Sequence, residues 1–118
     1  MSRTLMLSLA ALACLAVAGA AFGSASHPRI AVRPGRAAPG GPIRVVGSAG
    51  DCTGTVTAIS AAFPGHAFGE GTLTGTVKAN HTFVIRGRLS RDAKPGRYSV
   101  GARCGGGNLG VSAYVSVS

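Results

Sequence analysis

The sequence predicts an all-β fold in which seven short antiparallel strands form a two-sheet sandwich behind a cleavable leader. Three observations carry this. Beyond residue 26 no stretch shows a helical period, and apolar residues alternate with polar ones in runs of strand length. Gly, Pro and Asn break those runs at roughly 8–12-residue intervals, the spacing of a sandwich with tight turns. No internal repeat or linker appears, so residues 1–26 read as a signal peptide and residues 27–118 as one domain.

The leader has a positive start at Arg3, an apolar run from Leu5 to Phe22, and the small residues Gly23-Ser24-Ala25-Ser26 for cleavage, expected after Ser26. The run lies near the lower limit of the ~20 residues that a membrane span needs, and Ala and Gly fill its second half. It is therefore read as a signal rather than an anchor, with no transmembrane segment in the mature chain. Cys14 lies inside the apolar run instead of at its end, which does not fit a lipid attachment site.

The first strand of the domain is Arg29 to Val32. Arg33 to Pro42 contains Pro34, Pro39 and Pro42, which exclude a helix or a central strand and make it an edge crossing. Ile43 to Ser48 is the second strand, with Ile43 and Val45 inward, and Gly47 to Asp51 turns the chain toward Cys52. Thr and Val dominate Thr53 to Ser60, the third strand. Ala61 to Gly71, broken by Pro64-Gly65 and Gly69-Glu70-Gly71, is the least regular loop and the expected place for contact. Thr72 to Lys78 and His81 to Leu89 read as a hairpin around Ala79-Asn80, with Leu73, Val77, Phe83, Ile85 and Leu89 inward and Arg86 and Arg88 sharing the outer face. Pro95-Gly96 turns into a strand that puts Tyr98, Val100, Ala102 and Cys104 on one face and Arg97, Ser99 and Arg103 on the other. After Gly105-Gly106-Gly107-Asn108, the last strand alternates Val111, Ala113, Val115 and Val117 with Ser112, Tyr114 and Ser116.

Once the leader is removed, Cys52 and Cys104 are the remaining cysteines in a chain bound for an oxidising compartment. One pair permits one connectivity, and the predicted disulfide is expected to tie two strands across the sandwich. Catalysis finds little material. The acids are Asp51, Glu70 and Asp92, all in predicted turns, and no Gly-x-Ser-x-Gly elbow or phosphate loop is present. The chain is read as no enzyme, with no cofactor and no metal site. The Asn80-His81-Thr82 sequon is better explained by the turn preference of Asn.

Of 12 Lys and Arg residues only Arg3 leaves with the leader, so a chain of formal charge +9 stays strongly basic after cleavage. Such a surface attracts anionic polymers, although a GC-rich codon bias would also raise the Arg count. Arg86, Arg88 and Lys78 on one sheet face, with Arg97 and Arg103 on another strand, form either a basic patch or a solvated face that keeps the sheet from pairing. Aromatic platforms are missing from those faces apart from Tyr114, which argues against nucleic acid.

The succession Ile30-Ala31-Val32-x-Pro34, Ala38-Pro39-Gly40-Gly41, Val45-Val46-Gly47-Ser48, Cys52, Thr82-Phe83, Pro95-Gly96-Arg97-Tyr98-Ser99-Val100 and Arg103-Cys104-Gly105-Gly106 resembles the small secreted immunoglobulin-like domains of high-GC Gram-positive bacteria. The resemblance implies an immunoglobulin-like sandwich in which the Tyr98 hydroxyl bonds back to the preceding corner. Two features depart from antibody domains: the chain has no Trp, and the first Cys of the domain, Cys52, follows the second strand. The function expected is a secreted, extracellular, non-catalytic binding or structural module of the cell envelope, its partner an anionic cell-wall polymer or another envelope protein. The alternatives are a small-ligand carrier resembling neocarzinostatin-type chromoproteins, and an N-terminal-His copper-binding protein using His27 with His66 or His81.

Overall fold

A strand that buries every second side chain needs a facing layer, and this chain supplies one by dividing its strands between two sheets. The computed structural model describes residues 27–65 and 69–118. The expected signal peptide, with Arg3 and Cys14, lies outside the described residues, as does His66. The strands are β1 (Arg29–Arg33), β2 (Arg36–Ala37), β3 (Pro42–Ser48), β4 (Thr55–Ser60), β5 (Gly71–Thr76), β6 (Thr82–Arg88), β7 (Gly96–Cys104) and β8 (Gly107–Val117).

One sheet has the order β1-β3-β6 and the other β2-β8-β7-β4-β5. Val32, Ile43, Val45, Phe83 and Ile85 of the first sheet face Val56, Ala58, Val100, Ala102 and Val115 of the second, forming one core. The sheets approach closely where glycine removes the side chain. A Cβ on Gly87 would meet the Leu73 methyls at 2.7 Å, and one on Gly75 would meet Ile85 at 2.8 Å. Every inward position assigned from the alternation in β3, β6 and β7 is buried or half-buried, with Val45, Ile85 and Val100 wholly enclosed.

Four expectations need correction. Among the described residues the strand count is eight, because Arg36–Ala37 forms a two-residue strand within the proline-rich crossing. It lies at the sheet edge as the prolines require, but it runs parallel to β8, with Ser116 and Ser118 N–H donating to Gly35 and Ala37 oxygens. The hairpin around Ala79-Asn80 does not form. β5 pairs with β4 and β6 with β3, so this turn carries the chain from one sheet to the other. Alternation specifies which face of a strand is buried and leaves its hydrogen-bonding partner open. The bridge between Cys52 and Cys104 exists, with Cα atoms 6.3 Å apart, but it does not cross between the sheets. Cys52 precedes β4 and Cys104 closes β7, two neighbours in one sheet whose register sets Val56 opposite Cys104. Finally, the segment read as a contact loop begins as core. Ala62 and Phe63 are buried, Ser60 Oγ accepts the Ala62 N–H at 3.1 Å, and Ser90 N–H donates to Ala62 O.

Candidate anion-binding face

In β3 the order Ile43-Arg44-Val45 buries the two aliphatic residues and turns Arg44 to solvent. The β1 register sets Arg33 opposite Arg44, and the β6 register sets Arg86 opposite it on the other side. Three exposed arginines therefore stand in one row across the outer face of the three-stranded sheet. Directly opposed residues on antiparallel strands are only about 5 Å apart, so the row concentrates positive charge within a span of roughly 10 Å.

Beside this row the same face carries Ala31, Val46 and Val84, half-buried and also in register. A groove of about 320 Å³ runs between the three arginines, with Pro34, Pro42 and Gly87 among its walls. Arg88 is the next outward residue of β6, and its Nη1 donates to Gly40 O at 3.1 Å, which ties that guanidinium to the crossing loop. None of Asp51, Glu70 or Asp92, the acids of the chain, lies on these strands. Like charges placed directly opposite destabilise a sheet by about 0.2–1 kcal/mol per pair. A planar guanidinium fork matches the oxygens of a carboxylate or phosphate, so an oxyanion placed in the groove would relieve that repulsion and satisfy the donors.

The basic patch anticipated from Arg86, Arg88, Lys78, Arg97 and Arg103 is thus divided. Arg86 and Arg88 belong to the three-stranded sheet, Lys78 lies beyond β5, and Arg97 and Arg103 face outward on β7 of the other sheet. Arg97 lies over the Tyr114 ring, 3.9 Å from its centroid, so the exposed aromatic of that face already holds a cation. Arg33 and Arg44 were missed as site residues. Their outward parity was visible in the sequence, but the strand order that aligns them with Arg86 was not.

The second groove, of about 350 Å³, lies on the outer face of the five-stranded sheet between Ile59, Glu70, Arg103, Asn108 and Ser112. Gly101 leaves it open, and there β8 departs from regular pairing between the Gly101–Ser112 and Arg103–Asn108 pairs. The interior between the sheets is filled by Phe63, Phe83, Ile85 and Leu89. Among the described residues no three His, Cys, Asp or Glu side chains gather as a metal site. His27 is exposed, and His81 belongs to the turn before β6. In that turn Asn80 Oδ1 accepts hydrogen bonds from the Thr82 hydroxyl at 2.6 Å and the Thr82 N–H at 3.2 Å, the turn role expected of the sequon asparagine. The Tyr98 hydroxyl donates to Lys94 O at 2.7 Å, bonding back to the corner before β7.

Fold and face together define a disulfide-bridged, two-sheet all-β domain with a cationic outer surface. The chain matches no protein-family model and no curated protein. Among solved structures it is similar to the Pseudomonas fluorescens alkylpurine DNA glycosylase AlkC bound to DNA containing an abasic site analog, with 20% identity and a TM-score of 0.48. That similarity covers 75% of this chain and 29% of the glycosylase chain, so this chain spans less than a third of that protein's length.

Proposed function

We propose that this protein is a secreted, non-catalytic, immunoglobulin-like module that acts at the cell envelope or in the extracellular space by binding an anionic wall polymer. The observation that carries the reading is the unneutralised row Arg33–Arg44–Arg86 across three strands. Secretion is supported by the leader pattern of residues 1–26 and by the Cys52–Cys104 bridge. The immunoglobulin-like assignment is supported by the strand orders β1-β3-β6 and β2-β8-β7-β4-β5, with the opening segment shared between the sheets, and by the Tyr98 corner.

A wall polyanion suits this face better than a nucleic acid. The strands β1, β3 and β6 present no outward aromatic on which a base would stack. A carrier of the chromoprotein type calls for an apolar cleft between the sheets, where this chain packs Phe63, Phe83 and Leu89.

The test is retention of the oxidised, exported protein on isolated cell wall at low and high salt. Wild-type protein is expected on the wall at low salt and in the supernatant at high salt, because contacts between exposed charges are screened. The variant Arg33→Ala/Arg44→Ala/Arg86→Ala is expected in the supernatant at both. Low-salt retention that the triple variant preserves removes the arginine row from the reading, and no retention of wild type at low salt removes the reading itself.

A further inference from the structure

We propose that β5 is a docking edge for a second copy of this chain, the two β5 strands pairing antiparallel with Thr74 on the two-fold axis. The two sheets have four edge strands, and three of them carry recognised protections against pairing. β1 carries Arg29 and Arg33, β6 carries Arg86 and Arg88, and β2 is two residues long between Pro34 and Pro39. β5, Gly71-Thr72-Leu73-Thr74-Gly75-Thr76, has neither charge nor proline. Among the described residues no strand pairs with its outer side.

The open edge has a definite parity. Val77 N–H donates to Gly54 O at 2.7 Å at the foot of the β4–β5 ladder. Because bonded positions alternate in an antiparallel pair, the odd-numbered residues of β5 bond to β4, and Thr72, Thr74 and Thr76 direct N–H and C=O to the edge. All three threonines are exposed.

The strand is also self-complementary about Thr74. A two-fold there pairs Thr74 with Thr74 and Thr72 with Thr76 of the second copy, so each bonded position meets another position with free backbone groups. Leu73 falls opposite Gly75, whose inner side is occupied within its own molecule by Ile85 and Val84 of β6. Glu70, directly before β5, falls opposite Lys78, just after it; its side chain, which lines the groove over the outer face of the five-stranded sheet, swings to the edge on pairing, and the symmetry makes this ion pair twice. Sliding the register by two residues in either direction separates Glu70 from Lys78. The charge pattern therefore selects a second copy over an arbitrary extended peptide. This pairing is independent of the wall-binding reading, although a dimer would present two arginine rows to one polymer.

Sedimentation equilibrium of the oxidised, exported protein, from micromolar to millimolar concentration, is expected to show a monomer–dimer equilibrium. Thr74→Lys sets like charges against each other at the axis and is expected to leave a monomer with an unchanged circular dichroism spectrum and the melting temperature that the wild type shows at concentrations where it is monomeric. Glu70→Lys and Lys78→Glu are each expected to weaken the dimer about tenfold, and mixing the two variants is expected to restore it as a heterodimer. A monomer at every concentration overturns the proposal. So does a dimer that survives Thr74→Lys, or a mixture of the charge variants that associates no better than either alone.

Discussion

Tyr98 is half-buried on the inner face of β7, yet its hydroxyl reaches out of the sandwich to Lys94 O at 2.7 Å. Tyr98→Phe keeps the packing and removes one hydrogen bond, so a loss of about 1 kcal/mol is expected in urea unfolding. Glycines at close approaches divide by what they touch. A Cβ on Gly47 would collide with the Arg29 carbonyl oxygen, a backbone atom of the paired strand, whereas one on Gly87 meets the end of the half-buried Leu73 side chain at 2.7 Å. Gly47→Ala is therefore expected to cost on the order of 3 kcal/mol and Gly87→Ala about 1 kcal/mol, with equal losses contradicting the distinction. At this scale the sequence was highly legible. Inward Ile43, Val45, Phe83, Ile85, Val100 and Ala102 all follow from alternation. Phe63 was not legible, because Pro64-Gly65 marks its neighbourhood as loop while its ring fills the core. Phe63→Ala is expected to cost about 3–5 kcal/mol, as for a core aromatic.

Among the strands, pattern runs out where partners begin. Residues 72–89 carry the apolar spacing of two strands and a turn, and a hairpin accounts for that spacing as well as a crossing between sheets does. What decides the outcome lies elsewhere in the chain: β4 supplies the partner of β5, and β3 supplies the partner of β6. The arginine row depends on that decision, since Arg86 meets Arg44 only when β6 joins β3. Its like-charge contacts make a prediction opposite in sign to the usual effect of mutation. Arg44→Thr removes the central charge and keeps a β-branched residue on the strand, so stability at low salt is expected to rise by a few tenths of a kcal/mol to about 1 kcal/mol. Added salt is expected to stabilise the wild type more than the variant, because only the wild type has the repulsion to screen. Urea titrations at two salt concentrations check both, and a variant that is less stable at low salt and equally salt-sensitive would show that the row carries no strain.

Across the whole molecule, the disulfide acts through the loop that it closes more than through the place where it sits. Its sulfurs join the entrance of β4 to the end of β7 within one sheet, but the 52-residue separation takes in β4, β5, β6 and β7. One of those strands, β6, belongs to the other sheet and carries Arg86, so the covalent loop encloses strands of both layers and part of the cationic face. Closing a loop of that length is worth about 4 kcal/mol on the chain-entropy account, a large share of the 5–15 kcal/mol typical of a folded domain. A domain of this size encloses a limited core, and Ala58, Ala62 and Ala102 make part of it small. Cys52→Ala/Cys104→Ala is accordingly expected to lose 2–5 kcal/mol in urea unfolding, and treatment of the wild type with a reductant to lose the same amount. On the proposed wall-binding reading, retention is expected to be lost at a denaturant concentration that tracks the unfolding midpoint, because the three arginines are aligned only by intact β1–β3–β6 pairing. If wall retention outlasts that midpoint, binding needs only the charge of the chain and the aligned row is not the site.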